Sequence, residues 1–225
     1  MKKLFWKIPV WFFSITFALV VLLRFLPIYV TPLMVIRVVE AMFDEDRDVR
    51  VEKTWVPIEK MSSKIPRAAI AGEDDTFLTH YGFSVKGIQQ AYKDNKKGKR
   101  LKGGSTISQQ TAKNVFTTGS RTWVRKGFET YFTLLIELVW GKERIMEVYL
   151  NVVELGDGIY GVEAASQHYF HKSAAKLNAS QSALLVASLP SPRRYSVTNP
   201  GPYMRRRQGQ ILWMMRMLPN IEWHN

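Results

Sequence analysis

The stretch that most constrains this chain lies at its start. Lys2, Lys3 and Lys7 precede residues 8–23, sixteen positions without a charge, and after Arg24 the apolar character resumes as far as Ile36. Sixteen residues rise about 24 Å as a helix, slightly short of the roughly 30 Å hydrocarbon core of a bilayer. Arg24 can snorkel from near the far end, so a span over residues 6–29 is feasible. A cleaved signal peptide would need an A-x-A-like site after the run, and none follows. The expectation is an uncleaved transmembrane helix in residues 1–30. Lysines ahead of it favour a cytoplasmic N-terminus, with the rest of the chain on the far side of the membrane.

Composition sharpens this. The 225 residues contain no cysteine, which removes disulfides, thiolate nucleophiles and Cys-based zinc sites together. A net charge of +13 implies an anionic partner: nucleic acid, acidic lipid or a phosphorylated substrate. The anchor orientation disfavours nucleic acid, and no nucleic-acid-binding module is recognisable.

Residues 31–62 read as a connector, with Pro32, an acidic knot (Asp44, Glu45, Asp46, Asp48) and a short strand-like piece at 49–56 ended by Pro57. A globular unit over 63–225 follows, and its class is mainly α. Ser62 and Ser63 precede Pro66 at a first helical turn. Thr106-x-x-Gln109 has the form of a capping box. Residues 128–140 are apolar on almost every side, as a central core helix would be. Residues 182–189 and 211–218 are further helix candidates, separated by Pro190, Pro192, Pro200 and Pro202.

Two motifs mislead. Gly156-x-Gly158-x-x-Gly161 matches a dinucleotide-binding pattern, but no carboxylate lies between Glu163 and Glu222 to take a ribose, so a glycine turn into a helix near Val162 explains it. Ser173-x-x-Lys176 imitates an acyl-serine motif, yet no K-T-G follows. His80, His168, His171 and His224 have no metal-binding spacing, so no metal site is expected.

Three segments can carry chemistry. Glu73-Asp74-Asp75 ends a small, apolar segment; mutual repulsion and desolvation both raise a carboxyl pKa toward the range of a general base, although a solvated acidic loop has the same composition. Residues 102–114 join two glycines to a capped helix start. Ser105, Gln109 and Gln110 suit sugar hydroxyls, and Lys113 adds a cation; a polar surface helix is the plainer alternative. Arg125, Lys126 and Glu129 head the apolar helix, where Glu129 either pairs with Arg125 or faces a charged reacting group. Glu137, two turns on, reads as structural.

Together these segments resemble the family-51 glycosyltransferases, and within them the monofunctional biosynthetic peptidoglycan transglycosylases. The matching residues are Glu73-Asp74-x-x-Phe77-x-x-His80-x-Gly82, the run 103–110 with Lys113-Asn114, and Arg125-Lys126-x-x-Glu129. The runs 144–151 and 161–165 with Tyr169-Phe170 follow in family order. Departures are Thr76, where the family often has Arg or Lys, and Ser84, where it commonly has Asp.

The resemblance implies a lysozyme-like, two-lobed helical domain that polymerises lipid II into β-1,4-linked glycan, with inversion and release of undecaprenyl diphosphate. It implies Glu73 as general base and Glu129 as the second catalytic carboxylate. Ser105, Gln109, Gln110, Lys113, Arg121, Arg125, Lys126 and Asn151 are implied as substrate contacts. No cofactor is obligatory, with room for a divalent cation (Mg or Mn) at the diphosphate. The partners would be lipid II, lipid-linked nascent glycan, the membrane, and cell-wall synthesis or division proteins. The implied location is the bacterial inner membrane, with the catalytic domain periplasmic. A membrane-anchored lytic transglycosylase or muramidase and an inactive cell-wall scaffold are the competing readings. The length leaves no room for an attached transpeptidase. From residue 71 to 130 there are 11 Lys and Arg against 5 Asp and Glu, so much of the positive charge surrounds the expected site.

Overall fold

The structure, a computed structural model, describes residues 2–225 apart from 46, 86, 88, 90–103, 119–121, 222 and 224–225, with side chains from residue 7 onward. The basic run at 93–102 and Arg121 therefore lie outside the described residues.

Helix α1 spans Lys2–Leu23 and α2 spans Pro32–Met42. Strand β1 (Glu52–Lys53), a 3₁₀ turn at Ile58–Lys60 and helix α3 (Lys64–Glu73) follow. Helices α4 (Ile107–Phe116), α5 (Trp123–Val139) and α6 (Lys142–Val152) come next. After them run strands β2 (Glu154–Gly156) and β3 (Ile159–Tyr160), then α7 (Val162–Phe170), α8 (Ala179–Ser188) and α9 (Pro202–Met217).

The helices fall into two packed groups. Helix α3 lies against α8 and α9, while α4 lies against α5 and α6. Trp140, Tyr149, Phe77 and Ile145 are among the largest fully buried side chains. The strands make a small sheet in the order β1–β3–β2, with β1 parallel and β2 antiparallel to β3. The glycine turn expected before Val162 is present: Gly161 has φ +81°, and a Cβ there would lie 2.7 Å from the Asn151 carbonyl oxygen. Its two flanking strands were not foreseen.

The structure bears on three expectations. Residues 31–62, read as a connector, carry packed elements of their own. β1 joins the sheet, and Thr31, Met34, Ala41, Ile58 and Met61 are buried. Helix α5 is not buried all round: Glu129, Phe132, Thr133 and Ile136 face inward, while Trp123, Val124, Leu134 and Leu138 are exposed. Among the described residues, no helix is long and apolar enough to cross a membrane. Helix α1 ends at Leu23 rather than near Tyr29 and lies along α5. Phe12 meets Phe128, Thr16 Oγ1 is 2.7 Å from the Tyr131 hydroxyl, and Trp140 Nε1 donates to the Val20 carbonyl at 2.7 Å. Contacts that climb both helices together mean the two run parallel.

Candidate active site

The site lies where the two helix groups face each other. Its hinge is Asp74, the first residue past α3. Asp74 Oδ2 accepts the Ile107 N–H at 3.0 Å, on the first turn of α4. His80 Nε2 sits 2.9 and 3.1 Å from the two Asp74 oxygens. The start of α4 is completed by the capping box read from the sequence, Thr106 with Gln109. An acid at a helix N-terminus satisfies an orphan N–H and complements the helix dipole. The adjacent carboxylates thus have separate duties: Asp74 is buried in a brace between helices, and Glu73 is free to face the cleft.

That cleft, of about 810 Å³, is lined by Glu73 and Asp75 at the end of α3, Ser105, Gln110 and Lys113 from α4 and its approach, and Arg194, Tyr195, Tyr203, Arg206 and Arg207 opposite. Gln110 Nε2 donates to Glu73 Oε2 at 3.0 Å, and Arg207 Nη2 donates to Glu73 Oε1 at 2.9 Å. Burial pushes the Glu73 carboxyl above the usual carboxylate range; the Arg207 charge, the Gln110 bond and Lys113 act in the opposite sense. Burial also lowers the Lys113 ammonium, opposed by Glu129 and reinforced by the like charges of Arg125 and Lys126.

Glu129 is the buried centre of a cation cluster. Arg125 Nη1 donates to Oε2 at 2.7 Å, and Lys126 Nζ donates to Oε1. Both Glu129 oxygens are thus engaged by cations. Among the described residues no group of three or more His, Asp or Glu could hold a metal. Glu137, expected to be structural, accepts from Lys142 Nζ at 2.6 Å and from Ser108.

Of the expected contacts, Gln109, Asn151, Arg125 and Lys126 do not line the cleft. Gln109 Oε1 accepts the Thr106 N–H at 3.1 Å, so its side chain is spent on the capping box. Asn151 is fully buried; its Oδ1 accepts the Val56 N–H at 2.9 Å and its Nδ2 donates to the Val56 carbonyl at 2.8 Å, pinning the segment after β1 to α6. The departures at Thr76 and Ser84 prove to be one contact, their hydroxyl oxygens 3.1 Å apart. Sequence reasoning missed Arg207 altogether. Its signal was Gly201-Pro202, a proline at the first helical position that starts α9 nine residues before Ile211.

Comparison with known proteins gives the family of the chain. A family profile described as Transglycosylase matches residues 40–216. The chain is similar to a biosynthetic peptidoglycan transglycosylase of Bacteroides thetaiotaomicron, 51% identical over 212 residues, covering 94% of this chain and 85% of the relative. It is 53% identical to one of Caulobacter vibrioides over 192 residues, 85% and 81% of the two chains. It is 44% identical to one of Pseudomonas syringae pv. syringae over 217 residues, 96% and 92% of the two. With the profile covering most of its length and relatives this similar across it, the chain belongs to the transglycosylase family.

Proposed function

We propose that this chain is a peptidoglycan glycosyltransferase that joins lipid II units into β-1,4-linked glycan and releases undecaprenyl diphosphate. The observation that carries the reading is a cleft with a desolvated carboxylate, Glu73, on one wall and Lys113 about two turns along α4, backed by the Arg125–Lys126–Glu129 cluster. Glu73 takes the proton from the acceptor sugar hydroxyl as that oxygen attacks the anomeric carbon from the face opposite the diphosphate. The C–O bond to the diphosphate breaks, inverting the configuration, and the departing oxygens gain negative charge. Fixed cations aimed at developing charge in a water-poor site are the strongest electrostatic device available to a protein. Lys113 faces the cleft, and Arg125 and Lys126 are held in place by Glu129. Ser105 and Gln110 offer hydrogen bonds to sugar hydroxyls. A glycan hydrolase would have no use for this cation set.

The substrate's lipid tail and the exposed apolar residues Ile8, Trp11, Ile15, Trp123, Val124 and Leu138 support work at a membrane surface. In this reading the N-terminal helix attaches the protein to the inner membrane, N-terminus inward, with the domain periplasmic among other wall-synthesis proteins. The test is polymerisation of labelled lipid II by purified protein. Wild type should yield glycan strands, and Glu73→Gln should bind lipid II but form none. Polymer made by the Gln variant would remove Glu73 as base.

A further inference from the structure

The role of Arg207 is separate from that of any group used so far. One nitrogen, Nη2, donates both to Glu73 Oε1 at 2.9 Å and to the Gly72 carbonyl at 3.1 Å. With Gln110 on the other oxygen, the carboxylate is held from α9 and α4 at once. Packing sets the reach of Arg207. Ile211, one turn further along α9, lies against Gly72, where a Cβ would come within 3.2 Å of Ile211 Cδ1 and 2.5 Å of Val186 Cγ1. The missing side chain at position 72 lets α3 close onto α8 and α9, and that approach brings the guanidinium to the carboxylate.

A general base must be ionised before it can accept a proton, and burial works against ionisation. The groups facing Glu73 are Arg207 from α9, Lys113 and Gln110 from α4, the Tyr149 phenol from α6, and Asp74 and Asp75 next in the chain; Arg194 and Arg206 line the same cleft. Tyr149 is fully buried and kept neutral, its phenol raised first by burial and then by Glu73 and Asp74. Asp74 is committed to His80 and the Ile107 N–H. Lys113 is shared with Glu129, and burial lowers its ammonium from the ordinary lysine value. Among the described residues, the cation in direct contact with Glu73 is Arg207.

We propose that Arg207 is a positioning residue for the transfer reaction: its guanidinium holds Glu73 in the ionised form and in one orientation toward the acceptor. This rests on Glu73 as the base, and the experiment separates the two ideas. The dependence of kcat/KM on pH is measured with lipid II for wild type, Arg207→Gln, Arg207→Lys and Glu73→Gln, each checked for fold by circular dichroism. Removing a contacting cation raises a carboxyl pKa by about one unit or more. The acid limb of Arg207→Gln should therefore move about one pH unit or more upward, with the rate falling about tenfold at pH values below both midpoints and recovering at alkaline pH. Arg207→Lys keeps the charge and should keep the limb near wild type, with a lower plateau from the lost two-way hydrogen bond. A folded Arg207→Gln protein with an unmoved limb, or one inactive at every pH, overturns the proposal while leaving the base in place. If Arg207→Gln does not fold, Arg207→Lys decides: a limb displaced as far as loss of the charge predicts overturns it. Activity in Glu73→Gln would instead remove the base reading itself.

Discussion

Replacing Asp74 by Ala tests whether the acidic run is divided as described. The carboxylate is 7% exposed and accepts from the Ile107 N–H and from His80. A hydrogen bond to a charged acceptor contributes about 1.5–3 kcal/mol, and a buried N–H left without a partner costs about 1–3. Loss of an acid at a helix N-terminus adds about 0.3–1. These overlap, because the Ile107 bond enters more than one of them, so the net destabilisation is about 3 kcal/mol. For a chain of this size each kcal/mol moves Tm by about 2–4 °C, so the Ala variant should melt about 6–12 °C lower. Asp74→Asn retains an acceptor for Ile107 and should lose less than half of that. Scanning calorimetry in detergent at fixed pH gives the number. A Tm within about 2 °C of wild type, with polymerisation abolished, would mean that Asp74 acts in the chemistry and that the brace is incidental.

Other outcomes follow from the same contacts. Glu129→Gln leaves Arg125 and Lys126 without their shared partner beside Lys113, and lipid II consumption should slow by about 10²–10³-fold, the usual cost of a displaced transition-state charge; a near-normal rate would make Glu129 a structural ion-pair member. Gly72→Ala forces a Cβ against Val186 and should cost about 1–3 kcal/mol, recovered in the Gly72→Ala/Val186→Ala double variant, and a single variant as stable as wild type would show the contact to be slack. For Glu73, folding raises the carboxyl pKa, so the folded state gives up that proton less readily than the unfolded chain. Its contribution to folding is therefore unfavourable at pH above the unfolded value. At neutral pH, Glu73→Gln should melt no lower than wild type as it loses activity, and a clear drop in Tm would assign Glu73 a structural role.

Local chemistry in the sequence foretold much of this architecture. The Thr106 capping box, the glycine turn before Val162 and the acidic end of α3 are all short-range patterns, and each appears where its residues require. What could not be read was direction. Gln109 and Gln110 are adjacent and chemically alike, yet one closes a helix cap and the other faces Glu73, which depends on where α4 starts relative to α3. The resemblance implies Asn151 as a substrate contact, but it sits on the inner face of α6, opposite Val56. Arg207 is hidden in the sequence because Pro202 reads as a separator between helices, although its missing N–H suits a helix start. The outward apolar face of α5 was read as core because composition reports that a surface avoids water, and not what covers it.

The parallel seam between α1 and α5 sets a limit on depth. Contacts with α5 and with Trp140 just past its end run from Phe12 to Val20, and the Leu23 carbonyl accepts from Arg144 Nη2 of α6 at 2.8 Å, so that together they occupy most of the uncharged run. A bilayer admitting the whole of that run would have to admit α5 past Phe128 and on toward its N-terminus, carrying Glu129, Lys126 and Arg125 into hydrocarbon at a cost of several kcal/mol. Otherwise α1 must peel away, stripping Trp140 Nε1 of the Val20 carbonyl and Tyr131 of Thr16. If the chain works at a membrane as proposed, every turn of α1 that lies on α5 is a turn withheld from lipid, and the seam gauges how far the cleft would stand from the bilayer.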